Sequence, residues 1–154
     1  MATEIERKFL VRPGAWRPES EGTTYRQGYL AVQEHTAVRI RSGGGKAVLT
    51  VKGGASLLER SEFEYEIPAA DARAMLAGLC AGGIIEKTRY REPFAGMTWE
   101  VDVFHGANSG LMLAEIELEA AGQPFQMPPW AGQEVTEDVR YTNAYLAAHP
   151  WGAW

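Results

Sequence analysis

Cysteine is nearly absent from this 154-residue chain: Cys80 stands alone, so no intrachain disulfide can form. It ends an apolar stretch, Met75 to Cys80, where a small thiol is expected to be buried, and such cysteine usage suits a reducing compartment. Histidine is also scarce. His35, His105 and His149 are scattered, two in apparent turns and one beside Pro150, without metal-ligand spacing. No stretch approaches the roughly 18 consecutive apolar residues of a spanning helix, and the segment Leu76 to Ile85 is broken by three glycines. Met1 to Lys8 lacks the apolar core of a secretory signal, so a cytoplasmic protein without membrane association is predicted. Positive charge is short as well: 15 Lys+Arg against 20 Asp+Glu give a net charge of −5, which argues against a dedicated nucleic-acid binder. Linkers, repeats and low-complexity tracts are missing, so residues 1–154 are read as one domain.

What remains is dominated by alternation of period two, punctuated by Gly, Pro and small polar residues, the pattern of strands and turns. Strands are predicted over Thr3 to Val11, Thr23 to Gln33, Thr36 to Arg41, Lys46 to Lys52, Glu59 to Ile67, Ile84 to Glu92, Met97 to Phe104 and Leu111 to Glu119. The glycines Gly43-Gly44-Gly45 read as a hairpin turn; the order of a P-loop is not there. Two segments have helical character. Ala69 to Cys80 is followed by Gly82-Gly83 as a stop, and Thr136 to Ala148 begins with Thr136-Glu137-Asp138 as a possible cap and ends before Pro150. Trp130, Trp151 and Trp154 are expected near this last helix. Eight strands with short connections form either a sandwich or a closed barrel.

The charges follow the same alternation. Glu4, Glu6 and Lys8 share one strand face, as do Arg39 and Arg41, Glu62, Glu64 and Glu66, Lys87, Arg89 and Arg91, Glu100 and Asp102, and Glu115, Glu117 and Glu119. Residues two apart on a strand lie about 7 Å apart, so like charges repel by roughly 0.6 kcal/mol in water and about 2.4 kcal/mol at an effective dielectric of 20. On a wet outer face that repulsion is tolerable. Turned inward, such rows require opposing cations, metal or raised pKa values. The basic strands suit phosphate and the acidic strands suit Mg²⁺ or Mn²⁺, which together describe a metal-bound polyanion.

The opening Glu4-Ile5-Glu6-Arg7-Lys8 resembles the Glu-x-Glu-x-Lys signature of the CYTH family, the triphosphate tunnel metalloenzymes. Further matches are Arg26-Gln27-Gly28-Tyr29-Leu30, Val38-Arg39-Ile40-Arg41, Thr50-Val51-Lys52-Gly53, Arg60-Ser61-Glu62-Phe63-Glu64, Lys87-Thr88-Arg89, Trp99-Glu100-Val101-Asp102, Glu115-Ile116-Glu117 and Glu134-Val135-Thr136. The resemblance, to the short bacterial branch, implies a mainly β, α+β fold: a closed eight-stranded antiparallel β-barrel with a charged interior and flanking helices. It implies metal-dependent hydrolysis of inorganic tripolyphosphate to pyrophosphate and phosphate. Thiamine or nucleoside triphosphatase, or adenylate cyclase, are the family alternatives, and a non-catalytic polyphosphate- or nucleotide-binding module is the other class. By the same resemblance Lys8, Arg39, Arg41, Lys52, Lys87 and Arg89 would bind a small-molecule triphosphate. Glu4, Glu6, Glu62, Glu64, Asp102, Glu115 and Glu117 would serve Mg²⁺ or Mn²⁺, and Lys8 with Tyr29 would assist catalysis. The last helix, near Arg140 and Tyr141, would cover or plug one mouth. A homodimer is compatible with this reading.

Overall fold

A computed structural model describes residues 3–154. Its strands are β1 (Thr3–Val11), β2 (Thr23–Gln33), β3 (Thr36–Gly43), β4 (Lys46–Gly53), β5 (Glu59–Ile67), β6 (Ala81–Phe94), β7 (Met97–Phe104), β8 (Met112–Leu118) and β9 (Ala131–Glu134), with helices α1 (Ala69–Gly78) and α2 (Asn143–Ala148). Eight strands close into a ring in the order β1-β5-β4-β3-β2-β6-β7-β8, returning to β1, and every pairing is antiparallel. Closure removes the unpaired edges that an open sheet of this length would leave.

The ring closes through a change of partner on β1. Thr3 to Ile5 pair with β5, while Phe9 and Val11 pair with the short β9. This ninth strand, Ala131-Gly132-Gln133-Glu134, has no alternation to mark it, which is why the sequence reading stops at eight. At the β3–β4 turn Gly44 and Gly45 adopt φ of 63° and 81°, the left-handed pair that a tight hairpin requires.

Both helices differ from expectation. α1 ends at Leu79, whose N–H returns to Met75 O, and Gly82-Gly83 belong to β6 instead of stopping the helix. A Cβ on Gly82 would stand 3.1 Å from Ala147 O, so glycine here lets β6 begin directly beneath α2. The C-terminal segment is helical only from Asn143 to Ala148, preceded by a 3₁₀ turn at Val139–Tyr141. Thr136 is not its cap: its hydroxyl accepts from Lys8 N and donates to Glu134, and Thr142 caps α2 by accepting from Tyr145 N.

Around β1, β7 and β8 the barrel wall is apolar outside and charged inside. Ile5, Phe9, Trp99, Val101, Ala114, Ile116 and Leu118 alternate with the charged rows of β1, β7 and β8 and are jacketed by Trp16, Phe125 and Trp130. Trp130 therefore packs edge-on against Trp99, at 5.7 Å, and not by the last helix as expected. Trp151 packs with the α2 cluster, and Trp154 meets Tyr141 and Tyr145 edge-on. On the inner face the charges give way toward one end to Leu10, Ile85, Phe104 and Leu113, which pack with Leu146 and Ala147 of α2. The helix thus plugs one end of the barrel. Cys80 is half-buried beside α1 with its thiol pKa pushed up by burial. No helix among the described residues is long and apolar enough to cross a membrane.

Candidate active site

The plugged barrel encloses a cavity of about 270 Å³. Glu4, Glu6 and Lys8 reach it from β1 and Tyr29 from β2; Arg39 and Arg41 come from β3, and Lys52 from β4. Glu62 and Glu64 enter from β5, Lys87 and Arg89 from β6, and Glu115 and Glu117 from β8. Every residue predicted for the site is on this wall except Asp102. The sequence reading omitted Arg60 and Glu100, although each shares a strand face with an acid it did select. It also omitted Thr50 and the α2 entrance, Thr142, Asn143 and Ala144.

Charge in the cavity is balanced: seven lysines and arginines line it against seven glutamates. Lys52 lies 2.6 Å from Glu4 and 3.4 Å from Glu62; Lys8 lies 3.6 Å from Glu115; Arg39 lies 3.7 Å from Glu64 and Arg60 3.8 Å from Glu6. Burial opposes the charge on Lys52, but Glu6 and Glu4 outweigh it and hold its pKa above the usual lysine value. For Glu115, burial and Glu6 push upward, yet Lys8, Arg89 and Lys87 prevail and lower its pKa.

Asp102, expected among the metal-holding acids, stands behind the cavity wall and not on it. It is 1% exposed, and its carboxylate accepts from Lys87 Nζ at 2.7 Å and from Arg89 Nε and Nη2 at 2.7 and 2.9 Å. Burial would neutralise it, but Arg89 and Lys87 keep its pKa low. Arg89 gains correspondingly, its pKa rising well above the ordinary value against the opposing effect of burial. Asp102 is therefore a buried counter-ion to two cations of the cavity wall.

Two regions depart from neutrality. Arg41 has no carboxylate partner among the described residues; burial, Arg39 and Arg89 lower its pKa to about 10. Neighbouring Arg39 has a buried Nε without a hydrogen-bond partner. Lys87, fully buried and beside Arg89 and Arg41, has a pKa of about 7 in spite of Asp102. This region wants an anion. Conversely, Glu6 faces Glu117 across the β1–β8 ladder, and Glu100 faces Glu115. Burial, then Glu6, Glu100 and Glu62, raise the Glu117 pKa. Like charges directly opposite destabilise a sheet, so this region wants a cation.

Hard carboxylate oxygens fit a hard divalent ion. Among the described residues no three His, Cys, Asp or Glu side chains already form a metal cage, so protein oxygens alone do not complete the coordination. Water and a ligand's phosphate oxygens would supply the remainder, as is usual for Mg²⁺. Tyr29 is 7% exposed among apolar neighbours, and no hydrogen bond joins it to Lys8; Lys8 Nζ donates to Tyr141 O at 3.1 Å instead.

Comparison with known proteins agrees with this construction. The "Inorganic triphosphatase" of Acetivibrio thermocellus is 46% identical over 151 residues, covering 98% of this chain and 97% of that protein. The "Inorganic triphosphatase" of Nitrosomonas europaea is 43% identical over 151 residues, covering 94% of this chain and 97% of that protein. A crystal structure of an inorganic triphosphatase superposes with a TM-score of 0.67 at 42% identity, covering 96% of this chain and 95% of the other. The CYTH domain model matches residues 2–147, and with near full-length relatives of this similarity the chain belongs to the CYTH domain family.

Proposed function

We propose that this protein is a cytoplasmic inorganic triphosphatase that uses Mg²⁺ or Mn²⁺ to split tripolyphosphate into pyrophosphate and phosphate. The observation that carries the reading is the equal number of cationic and acidic side chains around one plugged cavity. A neutral lumen does not favour a bare polyanion; it favours a polyanion that brings its own cations. The two relatives named inorganic triphosphatase, similar over nearly their whole length, point to the same substrate. The plug at α2 favours a small inorganic chain over a bulky nucleotide. The cytoplasmic assignment rests on the single cysteine, which suits a reducing compartment.

In this reading Arg39, Arg41, Lys52, Lys87, Arg89 and Lys8 hold the phosphate chain, and Arg60 joins them. Glu4, Glu6, Glu62, Glu64, Glu115 and Glu117 hold metal, with Glu100 beside them. A divalent ion supplies charge neutralisation at the phosphoryl oxygens and a water of lowered pKa when bound. Lys8 donates to Tyr141 O and lies beside Glu115, which orients its ammonium while leaving a proton for a phosphate oxygen. Tyr29, on the same wall, assists Lys8 at the reacting phosphorus. Asp102 fixes Lys87 and Arg89 so that their remaining donors face the substrate.

The test is product analysis. Purified protein with Mg²⁺ or Mn²⁺ is expected to release equimolar phosphate and pyrophosphate from tripolyphosphate, with much slower turnover of ATP and thiamine triphosphate and no cyclic AMP. Lys8→Ala should abolish most of it. Preferential hydrolysis of ATP, or metal-independent release, would overturn the assignment.

A further inference from the structure

The cations of the closed end are held partly by a chain of neutral groups. Asn143, the first residue of α2, accepts on Oδ1 from Gln27 Nε2 at 2.8 Å and from Lys87 Nζ at 3.0 Å. Gln27 in turn accepts on Oε1 from Arg41 Nε at 2.8 Å. Two amides thus lie in series between two cations that can only donate. Because Lys87 offers no acceptor, Asn143 must turn its oxygen toward it. Because Arg41 offers none either, Gln27 must turn its oxygen toward Arg41 and its amino group toward Asn143. Only this arrangement satisfies all four groups, and it is the one present.

The location makes the chain consequential. Gln27 and Lys87 are 0% and 1% exposed, so a donor left unpaired there has no water to turn to. Lys87 has three N–H groups, of which Asp102 and Asn143 each accept one, leaving one for a ligand. Arg41, with its Nε engaged by Gln27, keeps both terminal nitrogens for a ligand. Asn143 itself stands where α2 enters the barrel, behind the Thr142 cap and ahead of the buried Leu146.

We propose that Asn143 is a positioning residue, whose carboxamide sets Lys87 directly, and Arg41 through Gln27, for the phosphate chain. This rests on the triphosphatase reading above, and wild-type turnover in the same assay tests that reading separately.

Kinetics with tripolyphosphate and Mg²⁺ are compared for wild type, Asn143→Ala, Gln27→Met, the double variant and Leu146→Ala. The ligand-induced rise in Tm is measured for each. Asn143→Ala is expected to lower kcat/KM by at least about tenfold, chiefly through KM, as expected when a charge-assisted hydrogen bond is lost. Gln27→Met should act in the same direction. The double variant should lose no more than the worse single variant, since both break one chain. Leu146→Ala, which loosens α2 without touching the amides, should lower Tm yet keep kcat/KM within about twofold where it is folded. Should Asn143→Ala fail to fold, Asn143→Ser, with a shorter acceptor, carries the same expectation. The inference is overturned by near wild-type kcat/KM in the Asn143 variant, by multiplicative losses in the double variant, or by Leu146→Ala reproducing the loss. If the wild type turns over no tripolyphosphate, the triphosphatase reading fails on its own. The Tm arm then decides for Asn143, a ligand-induced rise that survives Asn143→Ala overturning its role and one that disappears supporting it.

Discussion

Replacing Asp102 by Asn isolates the electrostatic logic of the barrel, because it removes a charge at nearly constant shape. Asp102 accepts three N–H bonds from Lys87 and Arg89 inside a region where Arg41 adds a third cation. A carboxamide has one acceptor oxygen, so at most two of those three bonds survive and its NH₂ must face a cation. Removing one partner of a buried pair costs about 3–5 kcal/mol, and since Asn keeps part of the bonding the lower end is expected. That is a large share of the roughly 5–15 kcal/mol holding a domain together, yet it leaves the fold populated. At roughly 2–4 °C per kcal/mol for a chain of this size, Tm should fall by at least about 6 °C. Denaturant unfolding followed by circular dichroism, at pH 7 and low salt, gives the free energy directly, with an unchanged m-value certifying that the same surface is exposed. A loss below about 1 kcal/mol would refute the claim that Asp102 is a structural counter-ion, and would return it to the candidate metal ligands.

Other outcomes follow from the same geometry. Arg41→Met should raise KM for tripolyphosphate by about 10- to 100-fold, the range of one or two charge-assisted hydrogen bonds, with a modest fall in Tm because no ion pair is broken and only the buried Gln27 Oε1 loses its donor; an unchanged KM would remove it from the binding set. Glu117→Gln relieves the repulsion with Glu6 and should raise the Mg²⁺ concentration needed for half-maximal activity while leaving saturating kcat closer to wild type; a metal titration reads it, and an unmoved midpoint contradicts the assignment. The carboxyls of Asp102 and Glu115 have folded pKa values below their unfolded ones of 3.8 and 4.5. The stability they contribute is whole above those unfolded values and is lost as pH falls through the lower folded ones. The deficit of Asp102→Asn relative to wild type should therefore shrink below pH 4, and a deficit constant from pH 7 to pH 3 would contradict this linkage.

Much of the fold was legible because a strand writes its two faces into alternate residues. The row Glu4, Glu6, Lys8 and the row Lys87, Arg89 could be assigned to common faces from spacing alone, and barrel closure then turned those faces inward. Depth along a face is not written that way. Asp102 has the parity of a lumen residue, but its place against Lys87 and Arg89 depends on the register of β6 on β7, which spacing along one strand does not give. Thr136 looked like a helix cap because its hydroxyl chemistry is that of one; a distant strand, through Lys8 N, captures it first. Asn143 carried no local signal at all, since its partners lie 56 and 116 residues away. Resemblance supplied the chemistry, and the long-range contacts had to come from three dimensions.

Along β7, neighbouring residues answer to different demands: Trp99 and Val101 belong to the outer jacket, while Glu100 lines the chamber and Asp102 braces its basic wall. A saturation scan across Met97–Phe104 would therefore oscillate residue by residue in its effect on turnover, while stability would respond on both faces, through the buried Trp99 and Val101 outside and Asp102 within. A barrel built in this way can have its chemistry rewritten from within while its outer casing stays the same.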